Sequence, residues 1–174
     1  MKATGVVRRI DDLGRIVIPK EIRRNLRIRD GEALEIFVDQ DNIVLKKFSI
    51  MRNIDSYASN LVLALYSLLK KSIVITDGDS VIACSNNVRE LLNKPISEKM
   101  CSCIKRRESI IEKYSKDLNI TDDFIFEGKY VINSVIANGD SVGLVIIFDS
   151  SDIGDDDMLI ASFASKILSK SIEE

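Results

Sequence analysis

The chain has 174 residues, a length that suits one ordinary domain or two small ones. Its hydrophobic fraction of 45% is that of a folded protein and excludes a chain that is disordered throughout. The absence of histidine removes the most common general base and metal ligand, so we expect no enzyme activity, no cofactor and no metal site. The formal net charge of −2 predicts no particular partner.

Positive charge is concentrated at the start of the chain. The first 29 residues carry nine lysines and arginines against three acidic residues, whereas residues 30–50 carry two basic and five acidic residues. The remainder has 14 basic and 19 acidic residues. This asymmetry predicts an anionic partner for the first part of the chain only.

The ends and the cysteines indicate a cytoplasmic protein without a membrane segment. The N-terminus, MKATGVVRRID, lacks the apolar region of a signal peptide, and the longest strongly apolar run, Val142–Phe148, is far too short to span a bilayer. Three cysteines cannot form a disulfide framework, which fits a reducing compartment. Cys101 and Cys103, with the distant Cys84, cannot complete a tetrahedral zinc site within one chain. A role for these thiols in redox sensing is the alternative to plain buried or surface cysteines.

The first 50 residues are predicted to form a small β-rich unit. Its expected elements are strands at residues 3–10, 15–18, 34–38 and 43–48 and a short helix at 20–26. Pro19 suits the start of that helix, where its missing N–H costs nothing. Such a unit is too small for a comfortably stable core, and no disulfide or metal is available to stabilise it. We therefore expect it to dimerise with strands of both chains interleaved.

The rest of the chain alternates between helical and strand patterns. The expected elements are a helix from residue 54 to 69, a hairpin at 72–85, a short helix at 86–93, a helix-prone region at 96–118, strands at 124–126, 130–137 and 141–148, and a helix at 155–171. The last two strands are joined by the Asn138–Asp140 turn. The final helix is apolar on two stripes, so we expect one to cover its own sheet and the other a second subunit. The predicted domains are residues 1–50 and 56–174, with a linker at 51–55.

The basic residues of the predicted short helix fall into a stripe at 100° per residue. The stripe comprises Lys20, Arg23, Arg24 and Arg27, and the opposite, apolar side comprises Ile18, Ile22 and Leu26. Arginine predominates, and its planar guanidinium suits bidentate binding of phosphate. Acidic residues are almost absent from the stripe, although an ordinary solvated surface is the alternative interpretation. In a dimer the stripe becomes a two-fold symmetric basic surface, as expected for binding double-stranded DNA.

Three arginines precede the helix. Arg8 and Arg9 alternate across the first predicted strand, so only one of them needs to share the basic face. Arg15 follows a glycine turn, where a backbone can approach a ligand closely. From the position of their charges in or beside the basic stripe, Arg9 and Lys20 are also candidate DNA-binding residues.

The stretch MKATGVVRRIDDLGRIVIPKEIRRNLRI, followed by DGEALEIFVDQDNIVLKK, closely resembles the swapped-hairpin DNA-binding domain of the AbrB-like transition-state regulator family. The resemblance implies an α+β chain whose N-terminal domain is an intertwined dimer of hairpins. It also implies that Arg8, Arg15, Arg23 and Arg24 bind DNA. The LGRIVIPKEIRR segment is its most specific part.

The later stretch VIANGDSVGLVIIFDS is similar to the last strands of a GAF domain, an antiparallel sheet with flanking helices. The resemblance implies tetramers joined through C-terminal helices, and a GAF domain often binds a small molecule. The resemblance of the whole chain to a member of the AbrB-like transition-state regulator family further implies a regulator of sporulation genes, both activator and repressor, associated with the nucleoid in the developing spore. An antitoxin-like interaction module and a metabolite sensor with secondary DNA binding are the alternatives.

Overall fold

The computed structural model describes residues 5–28, 30–48, 51 and 54–173. The chain divides into two compact units, Met1–Phe48 and Ser49–Glu174. Helices and antiparallel strands both occur, which confirms the predicted α+β class.

The first unit contains one short helix and one hairpin. Helix α1 spans Lys20–Asn25, directly after Pro19, whose carbonyl accepts the Arg23 N–H at 3.0 Å. Strands β1 (Leu34–Asp39) and β2 (Asn42–Lys47) pair antiparallel around a tight turn at Gln40 and Asp41. The predicted helix and the two predicted later strands are therefore confirmed to within about a residue or two.

The two earlier strands predicted in this unit are wrong for the single chain. Residues 5–10 and 15–19 have no regular secondary structure, and residues 3 and 4 lie outside the described residues. The segments have strand-forming side chains, but a strand also needs a hydrogen-bonding neighbour. In the described part of this unit, β1 and β2 pair only with each other.

The second unit is built on a five-stranded antiparallel sheet. In chain order its strands are β3 (Ser72–Thr76), β4 (Val81–Cys84), β5 (Ser109–Thr121), β6 (Phe124–Ala137) and β7 (Asp140–Asp149). They lie side by side in the order β4-β3-β7-β6-β5. The β6–β7 turn has positive φ at Asn138 (50°) and Gly139 (82°), which confirms the predicted Asn-Gly hairpin.

Helices cover both faces of this sheet. Helices α2 (Asp55–Leu69) and α4 (Asp155–Glu173) pack on one face, against side chains such as Ile73, Val145 and Ile147. A 3₁₀ helix (Asn86–Leu91) and α3 (Glu98–Arg106) pack on the other face, against alternate side chains such as Val74, Ile132 and Ile146. Because neighbouring strand residues point to opposite faces, both cores form from the same continuous apolar strands.

Two predictions in the middle of this unit need correction. The helix-prone region at 96–118 is helical only over α3, and its second half belongs to the edge strand β5. The strands predicted at 124–126 and 130–137 are one strand, β6. Local composition favoured a helix over residues 109–118, but pairing along β6 makes this charged stretch a strand.

Buried residues begin just before α2. Met51 is fully buried and Ile54 is 8% exposed, and both belong to the core that α2 and α4 form with the sheet. The helix α4 is anchored at its start, where the Asp157 carboxylate accepts the Lys71 ammonium and the Gly154 N–H at 2.8 Å each. This end of α4 is therefore fixed to the start of strand β3.

Candidate nucleic-acid interface

A hydrogen-bonded turn positions Arg15. The Asp11 carboxylate accepts the backbone N–H groups of Leu13 and Arg15 at 3.0 and 2.7 Å, and the Arg15 Nε donates to the same carboxylate at 2.7 Å. The backbone of Asp11 also bonds to Gly14 and Arg15. These bonds lower the pKa of Asp11, the largest cause being the Arg15 backbone N–H. With Nε held by Asp11, the outer edge of the guanidinium faces away from that bond and suits binding of an anion.

Helix α1 presents its basic residues unequally. Lys20 and Arg24 are exposed, whereas Arg23 is half-buried and forms an ion pair with Asp30. Arg27 lies beyond the end of the helix, with φ of 53°, so it does not continue the predicted stripe. The stripe is thus shorter than predicted, because the helix ends at Asn25.

The structure brings three of the predicted residues to one concave surface, here called the basic groove. Arg8, Lys20 and Arg23 line it together with Glu21. Its volume is about 480 Å³, and its apolar wall consists of Val6, Val17, Ile18 and Pro19. A smaller neighbouring concavity of about 280 Å³ is lined by Lys20, Arg23, Arg24, Ile28 and Asp30. Arg8, Lys20, Arg23 and Arg24 therefore form a continuous region along α1.

The other two predicted residues do not line either concavity. Arg9 is exposed on the irregular segment before the turn, and Arg15 is exposed at the end of the turn. Arg8 donates to the carbonyl of Val7 at 3.1 Å, a bond between adjacent residues that leaves its side chain exposed. A single chain thus gathers four of the six predicted residues.

The core of this unit is incomplete in one chain. None of the described residues between 5 and 48 is buried, although many are large and apolar. Val7, Leu13, Val17 and Val38 are each at least 70% exposed. Exposed apolar surface of this extent in a small unit marks an interface, which agrees with the expectation of dimerisation.

Sequence reasoning missed two acidic residues of the interface. Asp11 and Asp30 each form an ion pair with a predicted DNA-binding arginine, Arg15 and Arg23 respectively. Asp11 could have been found from the Asp-x-x-Gly turn pattern, in which an aspartate side chain bonds to later backbone N–H groups. The ion pair of Asp30 with Arg23 spans seven residues and a loop, so no local pattern indicates it.

The structure shows three free cysteines, of which Cys103 is buried and Cys84 and Cys101 are partly exposed. Burial raises the pKa of the Cys103 thiol to about 11 and also raises that of Cys84, so both stay protonated at neutral pH. Cys101 and Cys103 are two residues apart on α3 and lie on different sides of it.

In the parts of the chain that the structure describes, no three His, Cys, Asp or Glu side chains cluster as metal ligands. None of the described helices combines the length and apolar character that a membrane span requires.

Comparison with known proteins identifies both units. Residues 53–173 match the family described as "Stage V sporulation protein T C-terminal, transcription factor". Residues 7–52 match the family described as "Antidote-toxin recognition MazE, bacterial antitoxin". Over 48 residues the chain is 58% identical to the transition state regulatory protein AbrB of Bacillus subtilis (strain 168), covering 28% of this chain and 50% of AbrB.

The fold of the second unit is that of a GAF domain. The GAF domain of an Acinetobacter phosphoenolpyruvate-protein phosphotransferase covers 73% of this chain and 84% of its own, with a TM-score of 0.57 and 11% identity. The two units together define the class of the protein, a transcription factor with an AbrB-like N-terminal domain and a C-terminal GAF domain.

The full length of the chain gives the particular family. It is 41% identical over 178 residues to stage V sporulation protein T of B. subtilis (strain 168), and the match covers 100% of both chains. The chain belongs to the stage V sporulation protein T family.

Proposed function

We propose that this protein binds double-stranded DNA and regulates the transcription of sporulation genes, as an activator at some promoters and a repressor at others. The observation that carries this proposal is the gathering of Arg8, Lys20, Arg23 and Arg24 around α1 of an AbrB-like domain. The full-length relationship to stage V sporulation protein T supports the sporulation role.

The proposed DNA contacts are Arg8, Arg9, Arg15, Lys20, Arg23 and Arg24. Neutralisation of DNA phosphates by these cations supplies most of the affinity. The segment is rich in arginine and offers few Asn or Gln side chains for reading base edges, so part of the specificity comes from the bendability of the operator.

The protein assembles in two stages in this proposal. Residues 1–50 form an intertwined homodimer, since the exposed apolar side chains of one chain need a second chain to cover them. Dimers then join into a homotetramer through the C-terminal helices. Exposed apolar residues on α2 and α4 support this second interface, namely Leu63, Leu68, Leu159 and Phe163.

The same proposal includes the location of the protein in the cell and its regulation by a small molecule. DNA as partner places the protein at the nucleoid, and the sporulation relationship favours the compartment of the developing spore. The GAF fold suits the binding of a small molecule that adjusts the assembly.

The test is the salt dependence of DNA binding by the full chain. Arg24→Ala and Arg23→Ala are each expected to weaken binding across sequences and to reduce the slope of log K against log salt by about one for each phosphate that the variant no longer neutralises. Lys170→Ala is the matched control, because Lys170 is an exposed cation outside the basic segment. An unchanged slope in both arginine variants contradicts the proposed role of α1.

The match of residues 7–52 to an antitoxin family favours one second candidate, an antitoxin-like module that binds a toxin protein. A small toxin gene beside the gene for this chain, together with weak DNA binding, supports that alternative. Tight DNA binding without such a neighbour argues for the regulator.

A further inference from the structure

The GAF domain contains a polar cavity on the face of the sheet that carries α4. Its volume is about 320 Å³, and it lies between the end of α3, the start of β5, the C-terminal part of β6 and α4. The residues that matter for its chemistry are Arg107, Ser109, Asn133, Ser162, Ser165 and Lys166. We call it the serine cavity.

A fixed hydrogen-bond network forms one wall of the serine cavity. The Ser109 hydroxyl donates to Asn133 Oδ1 at 2.6 Å, and Asn133 Nδ2 donates to the Ser165 hydroxyl at 2.6 Å. The Ser165 hydroxyl in turn donates to the backbone carbonyl of Ser162 at 2.8 Å. Asn133 and Ser165 are 8% and 4% exposed, so the network is held in place by packing between β6 and α4.

The cavity is also lined by donors that this network does not use. Among the contacts of the described residues, neither the Ser162 hydroxyl nor the Lys166 ammonium has a hydrogen-bond or ion-pair partner. The Arg107 guanidinium is oriented by one bond, from Nη2 to the Gly139 carbonyl at 2.6 Å, which leaves its other N–H groups available. Three donors, two of them cationic, therefore converge on one cavity.

The charge of the serine cavity opposes that of its surroundings. Residues 51–174 carry 19 acidic and 14 basic residues, yet the described residues that line the cavity include two cations and no acidic side chain. A cluster of N–H and O–H donors with two positive charges is complementary to a phosphate or carboxylate group. A volume of about 320 Å³ also exceeds that of a lone ion and is at the lower end of metabolite sites.

We propose that the serine cavity binds a small metabolite through a phosphate or carboxylate group held by Arg107, Lys166 and Ser162. This site deepens the proposed small-molecule regulation of the GAF domain, and it does not depend on the DNA-binding proposal. The bound oxyanion accepts hydrogen bonds from all three side chains, while Ser109 and Asn133 keep the wall in its present geometry.

The test is calorimetric titration of the full-length protein with three probes: inorganic phosphate, acetate and uncharged glycerol. Phosphate, acetate or both are expected to bind, and glycerol is not. Lys166→Gln and Ser162→Ala are each expected to weaken oxyanion binding, Lys166→Gln by roughly tenfold, since that variant lacks a charge-assisted hydrogen bond. Lys170→Gln, on the same helix but outside the cavity, is the matched control.

Each outcome bears on the proposal directly. Phosphate and acetate distinguish the two sources of the oxyanion, and binding of either supports the site if Lys166→Gln weakens it. Equal binding by the Lys166 and Lys170 variants means that anions bind elsewhere, including the N-terminal arginines, and overturns the proposal. Binding of glycerol overturns the proposal as well, and so does a failure of all three probes to bind.

The Lys166→Gln protein should unfold at the wild-type temperature without ligand and keep its DNA affinity. Loss of DNA affinity in that variant would assign Lys166 to the DNA interface and would also overturn the proposal.

Discussion

At the level of single residues, acidic partners restrain the proposed DNA-binding arginines. The Asp11 carboxylate holds Arg15 Nε at 2.7 Å, and the Asp30 carboxylate holds Arg23. The lowered pKa of Asp11 keeps that carboxylate ionised to below its ordinary titration range. Asp11 holds only Nε of Arg15 and leaves the outer edge of that guanidinium available. DNA phosphate must compete with Asp30 for the Arg23 guanidinium, so this ion pair reduces the affinity of Arg23 for phosphate.

Removing one of these carboxylates should strengthen DNA binding. The Asp30 side chain is 92% exposed, so its ion pair with Arg23 contributes little to folding, and Asp30→Asn should leave the unfolding temperature nearly unchanged. We expect a several-fold gain in DNA affinity at low salt because Arg23 is released. Asp41→Asn removes the same charge from the exposed β1–β2 turn and serves as the control. Equal gains in the two variants would mean that net charge alone matters.

At the level of elements, we expect the β1–β2 hairpin to be stable only as part of a larger sheet. Two strands alone are marginal in water, and Ile36 and Val38 on β1 are 66% and 78% exposed. The segments 5–10 and 15–19 have strand-forming side chains but no strand partner within the described chain. Pairing between two copies would cover the exposed side chains of β1 and give the segments 5–10 and 15–19 a hydrogen-bonding neighbour.

A charge placed on the hairpin should therefore disrupt the dimer. Ile36→Asp is expected to lower the free energy of unfolding by roughly 2–4 kcal/mol, because it places a carboxylate in the apolar interface. The same change in a solvent-exposed side chain would cost less than about 0.5 kcal/mol. Analytical ultracentrifugation and thermal unfolding measure the two effects. Glu35→Ala, at the neighbouring position on the opposite face of β1, should remain dimeric, and a stable dimer of Ile36→Asp would contradict the interleaved assembly.

At the level of the whole molecule, helix α4 has both a covered and an uncovered apolar side. Ala161, Ala164 and Leu168 are fully buried against the sheet, whereas Leu159 and Phe163 are 69% and 62% exposed. Met158 and Ile160 are partly buried against the same core, so the uncovered side of α4 consists of Leu159 and Phe163. This uncovered side is the surface through which we propose that dimers associate.

Phe163→Glu should separate tetramers into dimers without unfolding the GAF domain, since the side chain is already exposed in one chain. Two linked DNA-binding dimers gain effective concentration, so the variant should bind DNA with two spaced sites more weakly by about a hundredfold. Binding to a single site should change little. Mass measurement by light scattering checks the assembly, with Tyr114→Glu, which changes an 81% exposed aromatic side chain of β5 in the same way, as the control. A tetrameric Phe163→Glu protein would exclude this side of α4 as the interface.

The elements that could be predicted are those in which local signals and packing agree. Pro19 before α1, the Asn138–Gly139 turn and the acidic start of α4 each encode their own structure within a few residues. The edge strand β5 could not be predicted, because its charged residues become a strand only through pairing with β6. Of the candidate site, the basic residues were predicted from charge and from family resemblance, and their role as DNA contacts stays a prediction.

Composition and periodicity show the concentration of arginine near the N-terminus, and they predict the two-part organisation and the need of the N-terminal segment for a second chain. Such properties depend on neighbouring residues and require no knowledge of distant contacts. The folded chain was needed to find that Asp30 holds Arg23, and that Arg107 and Lys166 meet at one cavity with Ser162. Arg107 and Lys166 lie 59 positions apart in the chain, and sheet pairing and helix packing bring such residues together. The chemistry of each side chain can be read from the sequence, but which side chains lie together depends on how the whole chain packs.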